Sequence, residues 1–570
     1  MLSVRYKSSQ IAARTTLPFT YDSPGGYFKL HYESDPASNN AVYGSSPLID
    51  TIPVGGDGIP DYINKFAEIA DSVWEYQINE LGFPAPPADS FYPDGGDYRY
   101  DIYISALSSS IYGQTWGEVT VDNQTATSYI EMDNNYDFPP YNEFEGDPRD
   151  FDRRLDAVRV TLAHEFNHAI HFGMDITEYE GTPSTPRLYW WEMSAVAMEE
   201  LMYDDINDYY GYLPAYFRNP YKSLRYFTNG TLFPYGAGIF PIFLIEKFGD
   251  STVTRKIWER CRDLGDDGPD FALALDQTVR EISGETHDAV DAFREFTIWN
   301  VFTGSRANQA PAGYGYSERA FYPAIPDSAM FRFDDYPLIY LRQDVIDSIA
   351  EKRPEVFAAN YLDLYNMSLV VDSFRFRFFV APGSGANWNL SLIAFPLDGV
   401  SEATVLEHRY LGPLAEFYPV TNHTDYLHVI AVPSPISLSF TETNYNVKFD
   451  YSFSVLDSIG PGDTVIQFFE PFPNPAVISS GVNEVTFRIQ TPAFDLSPGD
   501  YEVMIFNPAG EKVNEMEFTN WGGIYMNATW DFTNQSGEEV AAGVYLAFVR
   551  LTFRDGRPEV TKKYKLAVIK

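Results

Sequence analysis

The hydrophobic pattern of this chain changes its period near residue 335, and no other feature constrains the fold as strongly. From about 150 to 305, apolar residues recur at helical spacing, as in "DRRLDAVRVTLAHEFNHAIHFG". Beyond 335 they alternate along short runs separated by Gly, Pro and Asn turns, as in "NWNLSLIAFPLDG". The first third of the chain mixes the two patterns. The sequence therefore predicts a multidomain α+β protein that ends in all-β units.

Length and turn residues suggest where the domains divide. A chain of 570 residues is too long for a single hydrophobic core. A Pro/Gly break at "SIGPGD", residues 458 to 463, separates two alternating stretches that we interpret as β-sandwiches. The predicted domains are 1–335, which mixes helices and strands, then 336–460 and 461–570.

Composition excludes several classes of partner. Lys and Arg number 40 against 80 Asp and Glu, and this acidic excess repels nucleic acid, which we exclude as a partner. No run of eighteen apolar residues occurs, so we expect no transmembrane segment.

The single cysteine, Cys261, cannot form an internal disulfide. The first residues, "MLSVRYKSSQ", lack the apolar core of a signal peptide, so either a leader has been removed or the protein stays inside the cell.

Residues 161 to 173, "TLAHEFNHAIHFG", hold three of the eight histidines with one glutamate among them. His164 and His168 are spaced i, i+4, so on a helix they lie about 40° apart on one face and can bind one Zn²⁺. Glu165 points about 100° away, toward a water on the metal, which is the position of a general base. A histidine pair that makes ordinary polar contacts is the alternative interpretation.

The third metal ligand has two candidates, since catalytic zinc takes three protein ligands and a water. His171 shares the helix face, but its Cα lies about 10.5 Å along the axis from that of His164, so we expect it beside the site. The next helix, "WWEMSAVAMEE", supplies Glu192 after two tryptophans that indicate burial, where an unpaired carboxylate is costly. A metal would satisfy Glu192, and Glu199 could then orient a zinc-bound histidine.

These motifs resemble the gluzincins, the thermolysin and aminopeptidase type of zinc peptidase, in which H-E-x-x-H precedes E-x-x-A-x-x-x-E on the next helix. The resemblance implies a zincin-like metalloprotease domain with zinc on His164, His168 and Glu192, and with Glu165 as the general base for a zinc-activated water. More narrowly, residues 25 to 305 resemble a family of secreted bacterial metalloproteases in the serial order of "GYFKLHYES", "GDGIPDYINK", "LGFPAPPAD", "TLAHEFNHAIHFG", "WWEMSAVAMEE" and "YGAGIFPIFLIEKFG".

Peptide hydrolysis also requires a donor that stabilises the oxyanion formed during attack. Gluzincins commonly supply a Tyr or His after the third ligand, and Tyr235 is the candidate here. Tyr209 and Tyr210 compete with it, and an ordinary core tyrosine is the alternative interpretation because the chain has 41 tyrosines.

The resemblance also raises the question of calcium. The family has an Asp/Asn-rich loop suited to Ca²⁺, which is reduced in this chain to "DTIPVGGDGIPDY". Asp57 and Asp61 remain in it, so Ca²⁺ binding and a plain solvated loop are both open.

The last hundred residues predict a small antiparallel sandwich without chemistry of its own. In their order, "PNP", "VMIFNPAGEKV", "AAGVY" and a basic terminus resemble the type IX (Por) secretion sorting domains and the related immunoglobulin-like domain of a flagellar hook-assembly protein. The resemblance implies export across a bacterial outer membrane, with the secretion machinery as a partner and a secreted or cell-surface location.

Two functions follow from these observations. The leading hypothesis is a secreted zinc endopeptidase that acts on proteins or peptides. The alternative is a non-enzymatic cell-surface or adhesion protein that retains a zincin fold. Glu165 favours the enzyme, because a degenerate relative is expected to lose the general base first. Aminopeptidase activity is not favoured, because no G-x-M-E-N-like segment is present.

Overall fold

The structure, a computed structural model, describes most of the chain. The predicted domain limits at 335/336 and 460/461 lie outside the described residues, which are 2–6, 14–45, 48–52, 54–90, 97–108, 111–137, 151–182, 185–228, 230–265, 271–333, 352–365, 374–380, 387–411, 426–437, 448–449, 451–457, 467–490, 498–522, 525–553 and 559–570.

A six-stranded mixed sheet forms the first layer, in the order β1-β5-β6-β4-β3-β2. Strand β5 runs antiparallel to β6, and its other edge pairs in parallel with β1. The central strand β4 is buried on both faces, as expected for a strand covered on two sides. The strands are β1 (Leu2–Tyr6), β2 (Phe19–Asp22), β3 (Phe28–Tyr32), β4 (Tyr100–Ser105), β5 (Gly113–Thr120) and β6 (Ala126–Asp133).

Helices make up most of the region from 151 to 299, and the first of them packs against this sheet. A short hairpin, β7 (Glu180–Thr182) and β8 (Thr185–Arg187), separates the second helix from the third. The helices of the described residues are α1 (Asp61–Trp74), α2 (Phe151–Met174), α3 (Tyr189–Met202), α4 (Leu213–Phe217), α5 (Phe233–Gly236), α6 (Ile239–Phe248), α7 (Val253–Leu264), α8 (Phe271–Ile282) and α9 (Ala289–Trp299).

Helix α2 lies between the sheet and α3, and this placement determines the surroundings of the histidine motif. It packs on β5 and β6 on one side and on α3 on the other. Its side chains from Leu155 to Phe172 are almost all buried, including the polar ones of the motif. A charged or polar group in such a helix needs a partner inside the protein.

The middle strands form a five-stranded sheet, β13-β12-β14-β10-β9, and a two-stranded sheet, β11-β15. The five-stranded sheet shares one hydrophobic core with the helices, because α9 packs on β12 and β14. The Tyr361 hydroxyl, for example, donates to the Thr297 carbonyl at 3.1 Å. The strands are β9 (Met330–Phe333), β10 (Tyr361–Tyr365), β11 (Phe374–Val380), β12 (Asn387–Pro396), β13 (Thr404–Leu411), β14 (Tyr426–Ile436) and β15 (Tyr451–Asp457).

The C-terminal strands form two further sheets around a separate core that includes the fully buried Trp530. The sheet orders are β16-β18-β22-β21 and β17-β24-β23-β19-β20. The strands are β16 (Gln467–Phe468), β17 (Ala476–Val477), β18 (Val485–Gln490), β19 (Pro498–Phe506), β20 (Lys512–Glu517), β21 (Thr519–Gly522), β22 (Tyr525–Trp530), β23 (Gly543–Phe553) and β24 (Val560–Ile569).

The predicted α+β class is confirmed, since the chain combines helices with several sheets. Within the described residues, we find no helix with both the length and the apolar character needed to cross a membrane.

Candidate metal centre

Two histidines of α2 and one glutamate of α3 converge in the protein interior. The Nε2 atoms of His164 and His168 lie 3.2 Å and 3.3 Å from the Oε2 atom of Glu192. All three side chains are buried. The structure thus brings together the three residues that the sequence predicts as metal ligands, and their ligand atoms lie within 4.8 Å of one another.

The two distances to Glu192 Oε2 fit a zinc ion. Tetrahedral zinc with nitrogen and oxygen ligands at about 2.0–2.2 Å keeps the ligand atoms roughly 3.3–3.6 Å apart. The same spacing fits direct hydrogen bonds, so distance alone does not identify an occupant. The donor types, two imidazoles and a carboxylate, are those of catalytic zinc sites.

Hydrogen bonds hold the first histidine with its Nε2 atom toward Glu192. The Nδ1 atom of His164 lies 2.6 Å from the Oε1 atom of Glu199. The sequence suggests Glu199 as the residue that orients a zinc-bound histidine. An imidazole that donates from Nδ1 to a carboxylate keeps its Nε2 lone pair for a metal. Burial lowers the pKa of His164 to about 4, which favours the neutral ring that metal binding requires.

Several acidic side chains lie close to the two histidines. Burial, followed by the charges of Asp208, Glu165 and Glu192, raises the pKa of Glu199 well above its ordinary range. Burial alone would raise the pKa of Glu192, but the neighbouring imidazoles of His168 and His164 outweigh it and lower that pKa to about 2. A bound cation would favour the ionised form of both carboxylates.

Glu165 contacts strand β5 of the six-stranded sheet. The hydroxyl of Thr115, on β5, lies 2.6 Å from the Oε2 atom of Glu165 and 2.8 Å from its backbone carbonyl oxygen. A side chain built on Gly113 would place its Cβ 3.0 Å from the Cγ atom of Glu165. Strand β5 therefore fixes the position of the predicted general base. Sequence reasoning did not find Thr115 or Gly113, because neither carries a local signal of this contact.

His171 lies outside the group of three, as helix geometry predicts. Its Nδ1 atom is 3.4 Å from the Nδ1 atom of His168, and its Nε2 atom is 3.2 Å from the Ser194 hydroxyl. Its ring stacks on Trp258 with 4.1 Å between the centroids. Burial, with the nearby His168 and His164, lowers the pKa of His171 well below its usual value. Sequence reasoning missed Ser194 and Trp258.

Of the three candidate tyrosines, the structure brings Tyr235 to this site. Its ring lies nearly parallel to that of His164, with 5.9 Å between centroids. Burial, followed by the charges of Glu192 and Glu165 and a hydrogen bond to Glu192, raises the pKa of Tyr235 well above its usual value. The hydroxyl therefore keeps its proton at neutral pH and is a hydrogen-bond donor.

The two competing tyrosines belong to another cluster. The Tyr209 hydroxyl donates to Glu318 at 2.7 Å and lies 2.6 Å from the Tyr322 hydroxyl. Tyr210 packs edge-on against Tyr322, with 5.4 Å between the ring centroids. Neither contact involves the three candidate ligands.

The candidate calcium residues accept hydrogen bonds from their own loop. Asp61 accepts from the backbone N–H groups of Thr51 and Ile52 at 2.6 and 2.9 Å, and Asp57 accepts from that of Ile59 at 2.9 Å. Calcium binding by these aspartates stays a prediction.

A second acidic group lies in the described part of the chain. Glu200, Asp204 and Glu318 place their carboxylates within 4.8 Å of one another, and this group contains neither candidate calcium residue. Burial and the charges of Glu318 and Asp204 raise the pKa of Glu200 to about 9.

Comparisons with known proteins establish no family. No family model matches the chain, and no curated protein was found to match it. Among solved structures, PorZ, a bacterial surface component of the type IX secretion system of Porphyromonas gingivalis, matches at 20% identity over 21% of this chain and 14% of its own, with a TM-score of 0.14. Latent PorU from the same organism matches at 15% identity over 37% and 18%, with a TM-score of 0.16.

A protein of the DUF4785 family from Legionella pneumophila matches at 11% identity over 38% of this chain and 65% of its own, with a TM-score of 0.13. The chain spans less than a fifth of the length of PorZ or PorU. At these scores the likenesses are too weak to assign a function.

Proposed function

We propose that the chain is a zinc-dependent endopeptidase with a zincin-like fold. In this proposal, His164, His168 and Glu192 bind the zinc ion. The observation that supports this most is the convergence of His164 Nε2, His168 Nε2 and Glu192 Oε2 in the interior at a zinc-like spacing. A buried acid between two imidazoles is costly without a cation or a proton to balance it.

The chain's own residues have distinct parts in peptide hydrolysis. Zinc, when bound, supplies Lewis acidity toward the reacting oxygen atoms. Glu165, held by the Thr115 hydroxyl, accepts a proton from the attacking water on its carboxylate and delivers it to the leaving amine. The Tyr235 hydroxyl, which stays protonated, donates a hydrogen bond to the developing oxyanion.

A second candidate function is favoured by the burial of the site. His164, Glu165 and His168 have no exposed surface, so a peptide reaches them only if the covering segments move. A non-enzymatic surface or adhesion protein that uses the metal for stability requires no such opening. The two functions differ in one measurable property, which is peptide-bond cleavage.

The C-terminal unit completes the proposal as an export signal that directs the protein to the cell surface or the medium. Its support is the serial order of its motifs and a hydrophobic core of its own. To test this role, a reporter is fused to residues 467–570 in a bacterium with type IX secretion. Failure to export the reporter would contradict the role.

Casein digestion by purified, zinc-loaded protein tests the peptidase directly. We expect Glu165→Gln to retain zinc and to lose about 10²- to 10⁴-fold in cleavage rate, because the proton acceptor is removed without touching a ligand. Asp156→Asn, a matched loss of one charge on the same helix, should change neither quantity. Equal cleavage by Glu165→Gln and the unaltered chain would refute the mechanism, and zinc binding without any cleavage would favour the non-enzymatic function.

A further inference from the structure

The second histidine of the candidate metal centre lies at the end of a chain of hydrogen bonds. Its Nε2 atom faces Glu192, while its Nδ1 atom lies 3.4 Å from His171 Nδ1. On the far side of the His171 ring, Nε2 lies 3.2 Å from the hydroxyl of Ser194. Ser194 comes two residues after Glu192 on α3, so both ends of this series of hydrogen-bonded groups lie on the same helix.

The partners of Ser194 determine which way the protons point. A serine hydroxyl has one hydrogen to donate and two lone pairs to accept with. The Trp258 indole N–H can only donate, and it lies 3.1 Å from the hydroxyl. The carbonyl oxygen of Trp190 can only accept, and it lies 2.8 Å away, with that of Trp191 at 3.2 Å. The Ser194 hydroxyl therefore donates its hydrogen to a backbone carbonyl. Its oxygen is left to accept, so the Nε2–H group of His171 donates to it.

This assignment fixes both imidazoles. A neutral ring with its hydrogen on Nε2 has a lone pair on Nδ1, so His171 accepts from the Nδ1–H group of His168. His168 then has its own lone pair on Nε2, the atom that faces Glu192. Only that tautomer of His168 can bind a metal at this position.

We propose that His171 is a positioning residue that, anchored by Ser194, holds His168 in its metal-binding tautomer. The inference deepens the proposed function and rests on its metal site. His171 never contacts the metal in this arrangement and acts only through His168.

His164 and His168 differ in the residue that faces their Nδ1 atoms, and we give this difference an electrostatic reason. His164 is held by a carboxylate, Glu199. A second carboxylate at position 171 would add negative charge to an interior that already contains Glu165, Glu192 and Glu199. A neutral imidazole supplies the same acceptor without that charge, and stacking on Trp258 fixes the plane of its ring.

Zinc affinity, measured on the full chain by competition with a chelator of known affinity, tests the inference. His171→Phe keeps an aromatic ring on Trp258 but has no acceptor, and we expect it to weaken zinc binding by about 10- to 100-fold. His171→Gln offers a carbonyl oxygen as acceptor and should restore most of that affinity. Ser194→Ala, which removes the anchor, should fall between the two.

A second readout does not depend on zinc. Nitrogen NMR of the zinc-free chain, labelled at its eight histidines, reports which ring nitrogen carries the hydrogen. We expect His171 to be protonated at Nε2 in the unaltered chain and to lose that preference in Ser194→Ala.

The possible outcomes separate the inference from the proposed function. Failure of the unaltered chain to bind zinc would overturn the proposed function, while the NMR tautomer would still test the hydrogen-bond chain. Zinc binding by the unaltered chain with equal affinity in His171→Phe would overturn the inference alone. The same follows if His171→Gln binds as weakly as His171→Phe, or if His171 carries its hydrogen on Nδ1. Should His171→Phe not fold, the Gln and Ala variants and the NMR spectrum still decide.

Discussion

Glu200 lies on α3 directly after the Glu199 that supports His164, and it faces a different group of acids. Its neighbours Asp204 and Glu318 approach within 4.8 Å, and the side chain is buried. Burial and these like charges raise the pKa of Glu200 to about 9, so the folded chain holds a proton there that the unfolded chain releases near pH 4.3.

The stability of the protein should therefore fall as the pH rises through this interval. Between about pH 4.3 and pH 9 the folded state binds more protons at Glu200 than the unfolded state does. Each unit by which the pH rises in this interval therefore lowers the free energy of unfolding by at most about 1.4 kcal/mol. Glu200→Gln removes that proton uptake, so its stability relative to the unaltered chain should increase with pH. Urea unfolding at about pH 5 and pH 8 measures the difference, with the exposed Glu402→Gln as control. Parallel pH dependence of the unaltered chain and Glu200→Gln would exclude this role.

Local spacing explains which site residues could be predicted from sequence. His164, Glu165 and His168 belong to one helix turn, whose geometry is fixed by the backbone. Glu192 required a second step, the cost of burying an acid beside two tryptophans. Thr115 and Ser194 could not be predicted, because their roles arise from contacts across 50 and 23 residues of chain.

The contact between β5 and α2 determines how closely the predicted base approaches the sheet. Gly113 begins β5, and a Cβ atom built there would lie 2.7 Å from Thr161 Cγ2 and 3.0 Å from Glu165 Cγ. These distances are shorter than ordinary van der Waals contacts, so only glycine allows β5 and α2 to pack this closely.

Gly113→Ala should displace α2 from β5 and move Glu165 away from Thr115. We expect lower casein cleavage and a loss of about 1–3 kcal/mol in stability from overpacking, with zinc still bound because the ligands lie on the α3 side. Gly543→Ala is a suitable control, since it also begins a strand and its added Cβ meets nothing within 4 Å. Unchanged cleavage and stability in Gly113→Ala would show that the helix and strand are less closely coupled than this packing indicates.

Element types could be predicted from period, whereas their arrangement could not. The helical spacing around the histidine motif matches α2, and the alternation of "NWNLSLIAFPLDG" matches β12. The sequence gives no indication that β1 pairs with β5, or that β9 and β10 pair in parallel, because these contacts join distant segments. Sheet order depends on which faces are buried together, and that is set by the whole fold.

The buried apolar residues of the described part of the chain form two hydrophobic cores. One core extends from Phe28 to Phe449 and joins the helices to the middle sheets, and the other lies between Ala476 and Val568. Buried residues of α9 and of the five-stranded middle sheet belong to the same cluster, so the candidate metal centre and this sheet are parts of one packed unit. The alternating pattern predicts the strands there but does not predict that they share a core with the helices.

The zinc content of the purified chain, determined by mass spectrometry of the metal, tests the central claim most directly. We expect about one zinc per molecule in the unaltered chain and in Asp156→Asn, and a large loss in Glu192→Ala, because that variant leaves only two of three ligands. An unaltered chain that takes up no zinc, or a Glu192→Ala variant that binds zinc as fully as the unaltered chain, would contradict the assignment of His164, His168 and Glu192 as the metal ligands.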